Sequence, residues 1–134
     1  MLRAVALRLA PLICACALAG CGGGGPGDEQ QVRATLGAFQ RATAGNDYAA
    51  LCERILAPQL VARVTRLGLR CEDALERGFA GLRAPQLSVG RVTVDGDRAR
   101  AQVRTSAEDQ APSEDELELL RIDGRWRIAS LAGR

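Results

Sequence analysis

Two Asp-Gly pairs, Asp95-Gly96 and Asp123-Gly124, do most to fix what this chain can fold into. Each lies between runs of alternating residues. Asp-Gly readily takes the positive φ angles of a two-residue hairpin turn, so each pair predicts an antiparallel hairpin. The first joins strands over residues 87–94 and 98–106, and the second joins 114–122 and 125–131. Residues 107–113, which include Pro112, are expected to form the loop between the hairpins.

The strand faces follow from period-two alternation. Arg98, Arg100 and Arg104 share a face opposite Ala99, Ala101 and Val103. Glu114, Glu116 and Glu118 lie opposite Leu117 and Leu119, and Arg125 and Arg127 lie opposite Trp126 and Ile128. The pattern predicts an Arg–Glu–Arg charge ladder on a solvated surface and an apolar layer behind it. A carboxylate cluster for Ca²⁺ or acid–base chemistry is the alternative, and such regular alternation favours the solvated face. No acidic residue is read on the apolar faces. Leu120 and Ile122 fall on the charged face and Val89 and Val92 on opposite faces, which predicts a bulge near Gly90 or Leu120, or a partner over part of the outer face. Arg121 and Trp126 should face each other across the last hairpin. The guanidinium would then stack on the ring, or serve as an anion-binding group in a pocket.

The preceding residues carry a helical period. In residues 28–44, Val32, Leu36 and Phe39 recur at helical spacing, Asp28 and Glu29 suit the positive end of the helix dipole, and Gly45 offers a stop. Asp47 reads as the N-cap of a short helix through Tyr48, Leu51, Cys52 and Ile55. Pro58 suits the first turn of a third helix, which carries Leu60, Val61, Val64 and Leu67 and ends at Gly68. A last short helix is expected over residues 71–79. Helices first and paired strands second give an α+β domain over residues 28–134, with helices packed on a curved four-stranded antiparallel sheet.

The N-terminus has a separate purpose. Arg3 and Arg8 precede an apolar stretch, residues 9–20, and no acid appears before Asp28. This is the pattern of a secretory signal peptide over residues 1–20. The stretch falls short of the roughly 20 apolar residues that span a bilayer, which makes a plain membrane anchor the weaker reading. Leu18-Ala19-Gly20-Cys21 resembles the bacterial lipobox, in which cleavage leaves a lipidated cysteine. The resemblance implies a diacylglyceryl group on Cys21 and placement on the extracytoplasmic side of a cell membrane. Secretion with an incidental cysteine is the other reading. Residues 21–27 then form the lipidated cysteine and a glycine-rich tether. Gly22, Gly24 and Gly27 match G-x-G-x-x-G, but no strand precedes them, so dinucleotide binding is set aside.

Removal of the signal takes Cys14 and Cys16 with it, and lipidation occupies Cys21. Cys52 and Cys71 remain, and in an oxidising compartment they are the natural disulfide pair. A reactive thiol is the alternative, but no His or Lys exists to activate it. Without Arg3 and Arg8, 16 arginines face 16 acids. That balance gives no basic field for nucleic acid.

The helical half, the paired hairpins and the closing Asp123-Gly124-Arg125-Trp126-Arg127-Ile128 resemble the nuclear transport factor two-like superfamily. The helix start from Gly45 to Cys52 is a second supporting piece, and similar actinobacterial lipoproteins pair a cysteine in that helix with one downstream. The resemblance implies a cone in which a curved sheet wraps a long N-terminal helix. A generic α+β sandwich is the competing reading. Enzymatic members hold an Asp or His base at the cone mouth, often with Tyr donors. This chain has no His, its one Tyr is Tyr48, and no base is in view, so that activity does not carry over.

The inventory excludes further chemistries. Without His there is no Ser-His-Asp arrangement and no imidazole metal site. Without Lys there is no P-loop and no Schiff base. Neither cofactor nor metal is expected, and no catalytic residue is assigned. The expectation is a membrane-tethered, non-catalytic module binding a small ligand or an envelope protein, with Tyr48, Arg121 and Trp126 as candidate ligand contacts. Self-association into a homodimer is a further expectation. The alternative is a small cone-fold isomerase, dehydratase or cyclase using a buried carboxylate.

Overall fold

A computed structural model of the chain describes residues 26–131. The expected signal peptide and the expected lipidation site, Cys21, lie outside the described residues. Four helices come first: α1 (Pro26–Ala44), α2 (Tyr48–Ala50), α3 (Pro58–Arg66) and α4 (Cys71–Gly78). A wide π turn, Leu51–Ile55, continues α2. Four strands follow as an antiparallel meander in the order β1 (Gln86–Asp95), β2 (Arg98–Ala107), β3 (Gln110–Ile122) and β4 (Arg125–Ile128).

The helical period of α1 buries Val32 and Leu36 completely against the sheet. The last two residues of the expected tether, Pro26 and Gly27, already belong to this helix. Asp47 caps α2 as expected, its carboxylate accepting the Ala50 N–H at 3.0 Å. After the π turn the chain runs beside β4, where the Ala57 N–H donates to the Ile128 carbonyl at 2.8 Å. Pro58 opens α3, whose Leu60 and Val61 pack on the rim of the core. Leu67, expected on the apolar face of α3, is 79% exposed. It is the C-cap residue, where the chain turns away towards Gly68 at φ +80°.

Cys52 and Cys71 form a disulfide that staples the π turn to the start of α4. This is the pairing expected from the cysteine count.

The inner layer of the sheet is the one expected: Ala99, Ala101, Val103, Leu117, Leu119, Trp126 and Ile128 are all buried. A bulge lies between Val89 and Val92, one of the two places expected. Arg33 of α1 serves it, donating to the Gly90 carbonyl at 2.8 Å and the Val89 carbonyl at 3.3 Å. Gly90 belongs there because a Cβ would meet the Gln102 carbonyl oxygen at 3.3 Å.

Two expectations about the strands are corrected. Residues 107–113 are not a loop. Ala107 pairs with Gln110 across a tight turn at Glu108-Asp109, and β3 runs on through Pro112. Asp109 supplies a positive φ, +61°, in a turn that holds no glycine. The charge ladder also has two rails rather than three. Arg104 pairs with Glu114 at 3.1 Å, and Arg100 lies 3.9 Å from Glu116 and 3.8 Å from Glu118. The last hairpin, however, pairs Ile122 with Arg125 and Leu120 with Arg127. β4 ends at Ile128, short of the glutamates, and Arg127 instead donates to the Glu53 carbonyl at 2.8 Å.

Candidate functional site

One end of the cone is open. There the C-terminal half of α1, the end of α4 and the β1, β2 and β3 ends that lie furthest from β4 surround a cavity of about 340 Å³. That size falls within the range of roughly 300–1,000 Å³ typical of small-molecule sites. Phe39, Phe79, Leu87, Val103 and Leu117 give it apolar and aromatic walls.

Gln40 holds the mouth in shape. Its side-chain oxygen accepts the Leu87 N–H at 2.6 Å, and its amide nitrogen donates to the Pro85 carbonyl at 3.3 Å. The clamp ties α1 to the start of β1, and so sets the width between helix and sheet.

Four side chains give the cavity polarity. Thr43, one helical turn beyond Phe39, is only 8% exposed, and its hydroxyl has no hydrogen-bond partner among the described residues. Such a buried, unsatisfied hydroxyl is uncommon and costly, and commonly marks a site that something else completes. On the sheet side Thr105 and Ser113 share a hydrogen bond of 2.8 Å between their hydroxyls. Asp115, half-buried, accepts the Ser113 hydroxyl at 2.9 Å. Among the described residues that line the cavity, Asp115 is the one ionisable group.

Asp115 corrects the expectation that the apolar strand faces carry no acid. It pairs with buried Val103 and has the same parity as Leu117 and Leu119, so it faces inward. The glutamates on either side dominate the sequence pattern and hide it, although the parity that placed Leu117 inside also placed Asp115. Thr43, Gln40 and Phe79 had no comparable signal, because the packing of α1 and α4 around the mouth brings them together.

The three expected ligand contacts lie elsewhere. Tyr48 stacks on Phe79 with centroids 6.4 Å apart and donates its hydroxyl to Asn46 at 2.9 Å. Arg121 and Trp126 do pair across the last hairpin, with the guanidinium 4.7 Å from the ring centroid. Arg121 is also engaged by two carboxylates, Asp28 at 2.9 Å and Asp97 at 3.2 Å. The Asp97 contact lacks the alignment of a hydrogen bond and acts as charge alone. None of the three lines the mouth. Among the described residues no group of three His, Cys, Asp or Glu side chains is placed to hold a metal ion.

The sequence matches no protein-family model and no curated protein. Solved structures do match the fold. A nuclear transport factor two-like protein of unknown function from Shewanella baltica superposes with a TM-score of 0.58 at 16% identity, over 78% of this chain and 90% of that one. The fold is therefore the nuclear transport factor two-like cone. A second such protein of unknown function, from Silicibacter pomeroyi, matches at TM-score 0.54 and 20% identity, over 76% of this chain and 90% of that one. A de novo designed protein of the same fold matches at 0.52 and 16%, over 75% and 83% of the two chains. At these identities the likeness concerns the cone alone, and the mouth has to be read from its own residues.

Proposed function

We propose that this chain is a lipid-anchored binding module on the extracytoplasmic side of a cell membrane, and that the cone mouth takes up a small, mostly apolar ligand. The observation that carries the binding role is the mouth itself: aromatic and aliphatic walls around a cavity of about 340 Å³, with one unsatisfied buried hydroxyl and one carboxylate. Apolar walls supply the drive to bury a ligand, while a few fixed polar groups orient it. Thr43 would find its missing partner in a polar atom of the ligand. The anchor rests on the lipobox at Leu18 to Cys21 and on the signal pattern before it.

Binding to the mouth is tested with the neutral fluorescent probe N-phenyl-1-naphthylamine. Wild-type protein is expected to bind it saturably, and Ala107→Trp, which fills the rim of the mouth, to abolish that binding while the fold persists by circular dichroism. Equal binding by both proteins would remove the proposal. Mass spectrometry of membrane-extracted protein tests the anchor: acyl chains on the peptide beginning at Cys21 are expected, and an unmodified Cys21 would refute it.

A second reading is favoured by one specific observation, the inward-facing carboxylate of Asp115. It is the only candidate among the mouth residues for a base in an isomerase- or dehydratase-type reaction. Such a base usually acts with a donor that stabilises charge developing on the substrate, and the one phenol of the chain, Tyr48, is committed outside the mouth. Binding is therefore the better-supported role. Asp115→Asn separates the two. It would abolish turnover in an enzyme, whereas in a binding module no turnover exists to lose and the neutral probe binds as before.

A further inference from the structure

A second concavity lies on the other side of α1. It is an open groove of about 780 Å³ between α1, α2 with its π turn, and the start of β4. Its charge is opposite to the mouth's. Arg41 from α1, Arg54 from the π turn and Arg125 from β4 all line it. None of the three has an ion-pair or hydrogen-bond partner among the described residues.

Several other guanidinium groups pair with acids, among them Arg33 with Glu29, Arg83 with Glu108, Arg104 with Glu114, and Arg121 with Asp28, whereas three unpaired ones gather in this groove. The groove contributes three positive charges against the single carboxylate of Asp47, whose Oδ1 is occupied in capping α2. Like charges gathered along a concave, low-dielectric wall concentrate a positive field. Three separate elements contribute to it, so it does not arise from the solvated face of one helix.

The floor of the groove supplies an independent observation. Trp126 lines it and is 4% exposed, and its indole Nε1–H is buried without an acceptor among the described residues. Indole nitrogen is a donor only. Charged donors therefore outnumber the one charged acceptor, Asp47, around this groove.

From these observations we infer that the groove is a binding site for a phosphate-bearing anion. Guanidinium forks match phosphate oxygens in paired, parallel hydrogen bonds. A tetrahedral phosphate presents oxygens in several directions at once, which suits three arginines arriving from three elements better than a planar carboxylate does. The phosphate could belong to a free anion or to a lipid headgroup, since the recognition chemistry is the same.

Trp126 is the only tryptophan of the chain, so its fluorescence reports on the groove directly. Full-length protein in neutral detergent is titrated with inorganic phosphate at low salt, and in parallel with phosphatidylglycerol and phosphatidylcholine vesicles. A saturable change in Trp126 emission is expected. In Arg54→Gln/Arg125→Gln the affinity should fall at least tenfold. Arg66→Gln/Arg77→Gln, which removes two arginines outside the groove, should titrate as wild type. Should the double variant fail to fold by circular dichroism, Arg54→Gln alone carries the test, with a loss of about threefold or more expected. Response to inorganic phosphate identifies a free anion, and response only to phosphatidylglycerol vesicles identifies a lipid headgroup. No saturable response to any probe, or equal titration by the groove variants and the wild type, overturns the inference. The naphthylamine test of the mouth reads a different cavity, so either site can fail without the other.

Discussion

The Arg121 guanidinium donates to the Asp28 carboxylate at 2.9 Å, joining the first turn of α1 to the last hairpin across 93 positions of sequence. Both side chains are largely shielded, at 28% and 17% exposure, and the same guanidinium stacks on Trp126. Asp28→Asn is expected to cost about 1 kcal/mol, and Arg121→Gln about 1–3 kcal/mol because it also removes the stacking and leaves Asp28 unpaired. Urea unfolding measures both. The double variant should cost less than the sum of the single ones by about 1 kcal/mol, and binding of the naphthylamine probe at the mouth should not change.

Reduction of the Cys52–Cys71 bridge, or Cys52→Ser/Cys71→Ser, should cost about 3 kcal/mol, as expected for a bridge that closes a loop of this length. Guanidinium unfolding with and without dithiothreitol checks this. The effect should be absent in the serine variant, which has no bridge to reduce.

Thr43→Val should raise stability, by about 1 kcal/mol. It exchanges a buried hydroxyl that has no partner among the described residues for a methyl group of similar size. The gain should carry a functional loss: a ligand recovered from native extraction should bind Thr43→Val more weakly than wild type, as isothermal titration would show.

Gly124→Ala should destabilise by about 1–2 kcal/mol, because Asp123 at φ +51° and Gly124 at φ +74° together make the turn that sets the register of β4. Thermal unfolding gives the magnitude. In the folded fraction, pairing of Arg121 with Trp126 depends on that register, so the tryptophan emission should shift as well.

Much of the architecture was legible in the sequence because it is periodic. Alternation placed Ala99, Leu117 and Trp126 inside, and helical spacing placed Val32 and Leu36 against them. What escaped was either aperiodic or masked. The Glu108-Asp109 turn lacks glycine, so nothing announced it. Gly96-Asp97 forms the first hairpin turn, one residue later than the Asp-Gly motif suggests, because Asp95 pairs with Arg98. Asp115 was masked by a run of acids that reads as surface. Thr43 and Phe79 meet only because α1 and α4 converge, and Arg41, Arg54 and Arg125 share a groove only because three elements do. Those are tertiary facts with no local signature.

Helix α1 separates two cavities of opposite charge, and this has an evolutionary consequence. Going round the helix, Phe39, Gln40 and Thr43 turn to the mouth, Ala34, Ala38 and Arg41 to the groove, and Val32 and Leu36 to the sheet. The three directions interleave along one stretch of nineteen residues. Selection for a new ligand in either cavity can therefore proceed by changes three or four positions apart, leaving the other cavity and the core untouched. A lineage of such proteins could diversify two specificities independently on one unaltered strut.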